Sequence, residues 1–259
     1  MKVLFIGDIV GNVGRQMIED YLYRIRKDYQ IDFVIANVEN ATHGKGLNRK
    51  HYDFFTFEGV DCMTMGNHTF DKKELFDFID EADRLVVPFN QPAVLPGVSS
   101  RVFNVKGTKV RVTNALGCVF MDNRYSNPFD HIDDYLNLEQ DIHIIDIHAE
   151  ATSEKIGLAY YCKDKVQAVL GTHTHSYYNS HSFNIVFGYK GTNCFIANIY
   201  SDFFCSAHPF REIHLEEQIL LLHFSVPKPY LNPVKSVPSP YLVRIKVPLL
   251  GLDTDLVRT

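Results

Sequence analysis

A chain of 259 residues can bury a full core, either as one large α/β domain or as two small ones. A net charge of −5 with no run of five or six like charges excludes a basic nucleic-acid face and a charged tail. Five cysteines with no Cys-x-x-Cys pair exclude a disulfide framework and a zinc knuckle and point to reduced thiols in the cytosol, and no apolar run long enough for a signal peptide or a membrane span is visible.

Val3 to Ile6 is a four-residue apolar run closed by Gly7-Asp8, the pattern of a buried strand of a parallel sheet. A helix follows: Gly11 and Gly14 open it, and Met17, Ile18, Tyr21, Leu22 and Ile25 recur at helical spacing. Phe33 to Ala36 is the next strand and runs into Glu39-Asn40. A Gly-containing loop, Thr42 to Gly46, leads to a second helix near residues 48 to 57. Cys62 to Met65 is a third apolar run and stops at Gly66-Asn67-His68. Asp71 with Glu74 is an N-cap signature for a helix carrying Leu75, Phe76 and Ile79.

After Pro88, Pro92 and Pro96, the segments Val102 to Val105 and Val110 to Val112 flank Lys106-Gly107-Thr108 and predict a hairpin. Residues 117 to 134 read as irregular. Ile142 to Ile147 is a strand ending at His148, and Thr152 or Ser153 caps a helix through about Cys162. Ala168 to Leu170 then leads into Gly171-Thr172-His173-Thr174-His175. Strands are expected within 183 to 199, 218 to 226 and 241 to 247, the last inside a proline-rich tail.

Asp8, Glu39-Asn40, Asn67-His68, His148 and His173/His175 each stand at the end of a short apolar run. Ligands of α/β sheets lie outside the carboxyl ends of the strands, so these ends are expected to share one crevice. The donor set is N/O only, with no thiolate. It is too large for one tetrahedral zinc and suits two ions of Fe, Mn or Zn, with Glu39 able to bridge them. Two ions roughly 3.5–4 Å apart clamp a phosphate and lower the pKa of a bridging water toward ~7, which points to phosphoester hydrolysis. His68, next to Asn67 and leaning elsewhere around the pocket, is placed to protonate the leaving alkoxide.

Gly7-Asp8, Glu39-Asn40, Gly66-Asn67-His68 and Gly171-Thr172-His173-Thr174-His175 resemble the blocks of the calcineurin-like metallophosphoesterase superfamily. More narrowly, Val38 to Gly46, Met65 to Thr69 and Asp146 to Lys155 resemble the bacterial YmdB family of 2′,3′-cyclic-nucleotide phosphodiesterases. The resemblance covers residues 1 to 176. It implies a four-layer α/β/β/α sandwich, a single domain over residues 1–259 with the divergent 177–259 supplying second-sheet and C-terminal elements, and a dinuclear site.

Carried over by position, Asp8, Glu39, Asn40 and His175 hold one metal and Glu39, Asn67, His148 and His173 the other, with His68 as the acid. Fe or Mn is implied, with Zn as the alternative. The expected substrate is a small nucleotide or other phosphodiester, or the end of an RNA. The chain departs from the family at Gly117-Cys118, where Gly-Arg is usual, and again from Ala197 to Asp202. A nucleotide-binding module built on Gly7, Gly11 and Gly14, or a catalytically altered member acting in binding or signalling, are the competing readings. The apolar stretch 183 to 224 is either the second sheet or an oligomer contact.

Overall fold

The computed structural model describes residues 1–121, 125–163 and 165–174, and beyond them the backbone of three short strands. In chain order the elements are β1 (Lys2–Ile6), α1 (Gly11–Asp28), β2 (Phe33–Asn37), α2 (Arg49–Glu58), β3 (Cys62–Thr64), β4 (Leu85–Val86), β5 (Ser100–Val105) and β6 (Thr108–Leu116). They continue with α3 (Asp133–Leu136), β7 (Ile142–Ala149), α4 (Thr152–Cys162), β8 (Ala168–His173), β9 (Ile185–Val186), β10 (Ile219–Phe224) and β11 (Val243–Lys246).

The strands pair into two sheets of order β11-β10-β1-β2-β3-β4 and β5-β6-β7-β8-β9. β1 to β4 run parallel, as do β6 to β8, and antiparallel strands flank both sets. The two-residue side-chain period of a strand explains the layering. Leu4, Ile6, Val34, Ala36 and Met63 point to one face of the first sheet and pack on Ile18 and Leu22 of α1 and Phe55 of α2. Their alternates Val3, Phe5, Phe33, Ile35 and Cys62 point the other way and meet Val110, Val112, Ile142, Ile144, Ala168 and Leu170 of the second sheet. The outer face of that sheet, with Ile145, Ile147 and Val169, is covered by Leu136 of α3 and Leu158, Ala159 and Cys162 of α4. The result is the α/β/β/α sandwich expected.

β1 is parallel to β2 on one side but antiparallel to β10 on the other, so its sheet is mixed. The hairpin is present, turning at Lys106 and Gly107 with φ of 53° and 87°. Its second strand runs on to Leu116 because that half pairs in parallel with β7. Two helix starts differ from expectation. Asp71 does not cap: its carboxylate is engaged by His68 Nδ1 at 2.8 Å, and only a 3₁₀ turn, Lys73–Asp77, follows, leaving Phe76 exposed. Nor does Thr152 or Ser153 cap α4; Ala151 stands at its N-cap with no side-chain bond, and Ala151 O accepts from Glu154 and Lys155 N–H. β4 has no counterpart in the sequence reading, being only two residues long. The described residues between 117 and 134 are irregular apart from a 3₁₀ turn at Pro128–Asp130 and the start of α3.

Of the three C-terminal strands expected, β9, β10 and β11 fall within the expected segments. The altered block at Ala197 to Asp202 lies outside the described residues. The sheets are joined near their carboxyl ends by Asn114 of β6. Its Oδ1 accepts Met65 N–H and its Nδ2 donates to Asp146 O, both at 3.2 Å.

His143 lies wholly buried on β7, its Nε2 2.8 Å from Thr113 Oγ1. Burial, with Arg111 nearby, lowers its pKa from 6.5 to about 3. The unfolded chain therefore binds a proton that the folded chain refuses, and stability falls as pH drops through this window. Between pH 6.5 and about 3, His143 contributes a loss approaching ~1.4 kcal/mol per pH unit, which His143→Asn removes; urea unfolding of both proteins across that range checks the difference in slope.

Candidate metal centre

The site is assembled at the carboxyl ends of five parallel strands, three in the first sheet and two in the second. Backbone bonds lace these exits together: Ile9 N–H donates to Asn37 O at 3.0 Å, Val38 N–H to Thr64 O at 2.9 Å and Gly117 N–H to His148 O at 2.9 Å. Asp8, just past β1, and Glu39, just past β2, are fully buried. The Glu39 N–H is held by Asn37 Oδ1, and its side-chain Oε1 accepts from Asn40 Nδ2 at 2.8 Å. On the other oxygen, Oε2 accepts the His68 backbone N–H at 2.9 Å.

His148, on β7, is the hub. Its Nε2 stands 3.0 Å from Asn67 Oδ1, 3.3 Å from Glu39 Oε1 and 2.9 Å from His173 Nδ1. Its Nδ1 lies 3.0 Å from Thr172 Oγ1 and 3.9 Å from Asp8 Oδ1. His173 closes β8 with φ of 86°, a conformation that non-glycine residues rarely adopt. Three contacts hold it there: its N–H reaches Asp8 Oδ1 at 3.4 Å, its Nδ1 reaches His148, and its Nε2 lies 3.3 Å from Glu150 Oε2. Among the described residues, Glu39, His148 and His173 each place a ligand atom within 4.8 Å of the others.

Six of the expected ligands are thus placed: Glu39, Asn67, His148 and His173 converge, Asp8 flanks them through His148 and His173, and Asn40 joins through Glu39. His68 is tied in by its backbone while its ring turns to Asp71. His175 lies outside the described residues.

The electrostatics call for a cation. Burial alone would lower the His148 pKa, but Glu39 and Asp8 beside it prevail and raise it to about 9. Burial likewise works against the Glu39 charge, and His148 outweighs it, holding that carboxyl below its usual value. His173 is driven down to about 4 by burial and by His148. Without an ion the pocket must hold protons against its carboxylates. Three oxygen and nitrogen acceptors crowd around one imidazole nitrogen, which a single proton cannot satisfy and a metal ion can.

Space is reserved for the same purpose. A Cβ on Gly66 would fall 2.4 Å from both Glu39 Oε2 and His148 Cδ2. Gly46, at φ of 72°, likewise has no room for a Cβ, which would fall 2.8 Å from Lys72 Cγ, 3.1 Å from Lys72 N and 3.3 Å from His68 O. The donor set and this cradle fit a metal.

Several supporting residues escaped the sequence reading. Asp146, two residues before His148, is fully buried; burial pushes its pKa up to about 6 against hydrogen bonds from Thr64, Thr172 and Asn37 and the nearby His148. Lys155 of α4 lies across Gly171 and donates from Nζ to Thr174 Oγ1 at 2.8 Å, whose hydroxyl reaches Glu150 O at 2.8 Å. Burial lowers its pKa to about 8 although Asp8, Glu150 and Asp146 oppose the shift. Glu154 accepts the N–H groups of Cys118 and Val119, fixing the loop after β6.

At the opposite, amino ends of the strands an open cavity of about 580 Å³ is lined by Asp32, Asp61, Arg84, Arg101 and Lys106. Its charges are engaged by one another and by backbone groups, so it shows no comparable demand for a ligand.

A family model described as YmdB-like protein matches residues 4–183. The 2′,3′-cyclic-nucleotide 2′-phosphodiesterase of Bacillus subtilis (strain 168) is 44% identical over 178 residues, 68% of this chain and 67% of that protein. A crystal structure from Mycoplasma pneumoniae, described as a novel phosphatase, superposes with a TM-score of 0.63 at 41% identity, over 68% of this chain and 64% of that one. One from Thermus thermophilus, described as a hypothetical protein, gives 0.69 at 31% identity and covers 95% of this chain and 100% of the other. The chain therefore spans about two thirds of the Bacillus and Mycoplasma relatives.

Gly66→Ala forces Glu39 and His148 apart. It is expected to cost about 1–3 kcal/mol of stability by overpacking and to abolish metal uptake, read by urea unfolding and by metal analysis of the purified variant.

Proposed function

The chain belongs to the YmdB-like family, and from that premise we propose that it is a metal-dependent phosphodiesterase acting on a small phosphodiester, a 2′,3′-cyclic nucleotide above all. The observation that carries the reading is the convergence of Glu39, Asn67, His148 and His173 on one buried point, with Asp8 and Asn40 beside it. It is a hydrolase, and residues 1–259 form one metallophosphoesterase domain.

Two metal ions, Fe or Mn with Zn as the alternative, would supply positive charge to the phosphate oxygens and lower the pKa of the attacking water. Glu39, Asn67, His148 and His173 would hold one ion, and Asp8 and Asn40, with Glu39 and with His175 outside the described residues, would hold the other. Asn40 fixes the Glu39 carboxylate through its 2.8 Å hydrogen bond, so that one oxygen does not swing away.

His68 is the general acid. The Glu39 carboxylate fixes its backbone at 2.9 Å, and Asp71 fixes its ring at Nδ1, leaving Nε2 to carry the proton delivered to the leaving ribose oxygen. Water adds to phosphorus, the P–O bond to the ribose breaks, and that oxygen leaves protonated. The described cysteines, Cys62, Cys118 and Cys162, are free thiols, which supports a reducing, cytoplasmic setting.

Hydrolysis of 2′,3′-cyclic AMP by the manganese-loaded protein tests the reading, with chromatography to identify the product. His68→Ala is expected to lower kcat by about 10²–10⁴-fold with its metal content unchanged. A variant retaining both metals and the full rate would remove His68 from the acid role; a wild-type protein that is loaded yet inert toward cyclic nucleotides would remove the substrate.

A further inference from the structure

Beneath His148 lies a second set of buried groups with no assigned part in the reaction. Asp146 Oδ2 accepts from Asn37 Nδ2 at 3.2 Å and from Thr64 Oγ1 at 2.5 Å, and Oδ1 accepts from Thr172 Oγ1 at 2.8 Å. Thr172 Oγ1 also meets His148 Nδ1 at 3.0 Å. Asp146, Thr172, Thr64 and Asn37 are all buried, and they come from four strands of both sheets, β7, β8, β3 and β2.

The direction of each bond follows from what each group can do. The Asn37 amide nitrogen only donates, so Asp146 Oδ2 is an acceptor. A hydroxyl has one proton to give. Thr172 gives its proton to Asp146 Oδ1, so the same oxygen can only accept from His148, and Nδ1 must then carry the proton. The lone pair of the ring is left on Nε2, the atom facing Glu39, Asn67 and His173.

We propose that Thr172, oriented by Asp146, is a positioning residue that sets the tautomer of His148 and so presents its Nε2 lone pair to the metal. This rests on the metal-centre reading and deepens it. An imidazole free to choose would place its proton on Nε2, toward the Glu39 carboxylate 3.3 Å away, and would compete with the ion for its own ligand position. The relay removes that choice for the neutral ring that takes up the ion. The network also spans both sheets, so the tautomer is tied to their correct docking.

Three variants test this in the full chain with zinc as the probe. Thr172→Val keeps the shape but cannot accept from Nδ1; Thr172→Ser keeps the hydroxyl. Asp146→Asn is isosteric and reverses the relay: Asn37 and Thr64 hold the amide oxygen, its NH₂ faces Thr172, and the Thr172 hydroxyl must then donate to His148 Nδ1. Zinc affinity from competition with a chromophoric chelator is expected to fall about 10–100-fold in Thr172→Val and Asp146→Asn and to be restored in Thr172→Ser.

In the zinc-loaded wild type and Thr172→Ser, proton NMR is expected to show a downfield His148 Nδ1–H, shifted upfield in Thr172→Val by loss of its acceptor. Thermal melting establishes that each variant is folded, and Asp146→Asn carries the test if Thr172→Val is not. Wild-type affinity in the folded variants, or an unmoved His148 proton, overturns the assignment. A wild-type chain that binds no zinc overturns the metal reading itself, and the assignment with it.

Discussion

The structure depends on burying carboxylates where two sheets meet. Asp8, Glu39 and Asp146 are fully buried, and each would be prohibitively costly alone in a protein interior. Asp146 is made tolerable by three donors from neighbouring strands. Asp8 and Glu39 are faced instead by His148, with Lys155 contributing its field from α4. Those two carboxylates share their pocket with Asn67 Oδ1 and the ring nitrogens of His148 and His173, an arrangement that a bound cation stabilises better than protons do.

The backbone is shaped around that requirement. Gly66 leaves room where a methyl group would touch both Glu39 and His148, and His173 is held at a positive φ by contacts to Asp8, His148 and Glu150. The inter-sheet core of Val3, Phe5, Ile35, Val112, Ile144 and Leu170 is apolar throughout. The polar groups begin only at the carboxyl ends of the strands, with Asn37, Thr64, Asn114, Asp146 and Thr172. A hydrophobic seam thus sets the spacing of the sheets, and a polar one at its end sets the ligands.

Much of this is legible in the chain. Short apolar runs ending in Asp8, Glu39, Asn67, His148 and His173 identify the strands and their functional ends together, because a strand buried on both faces is apolar at every position until it leaves the sheet. The same reasoning missed what lies beneath those ends. Asp146 stands inside the run Ile144-Ile145-Asp146-Ile147, and a charged residue in a fully buried strand is itself a signal; the partners that make it tolerable come from β2, β3 and β8 and share no spacing with it. Asp71 shows the converse error, since its place before Glu74 suits a helix cap, whereas tertiary structure gives its carboxylate to His68. The two-residue β4 is too short for any periodicity to register.

Metal content is the most direct test of the central claim, that the buried acceptors at the sheet seam exist to hold ions. Elemental analysis of the purified protein, before and after chelation and reconstitution with manganese, should be compared with Glu39→Gln, which removes the carboxylate charge and keeps the shape. Two ions per wild-type chain and a marked deficit in Glu39→Gln are predicted. A wild-type protein that remains metal-free after reconstitution, or a Glu39→Gln variant that loads as fully as wild type, would contradict it.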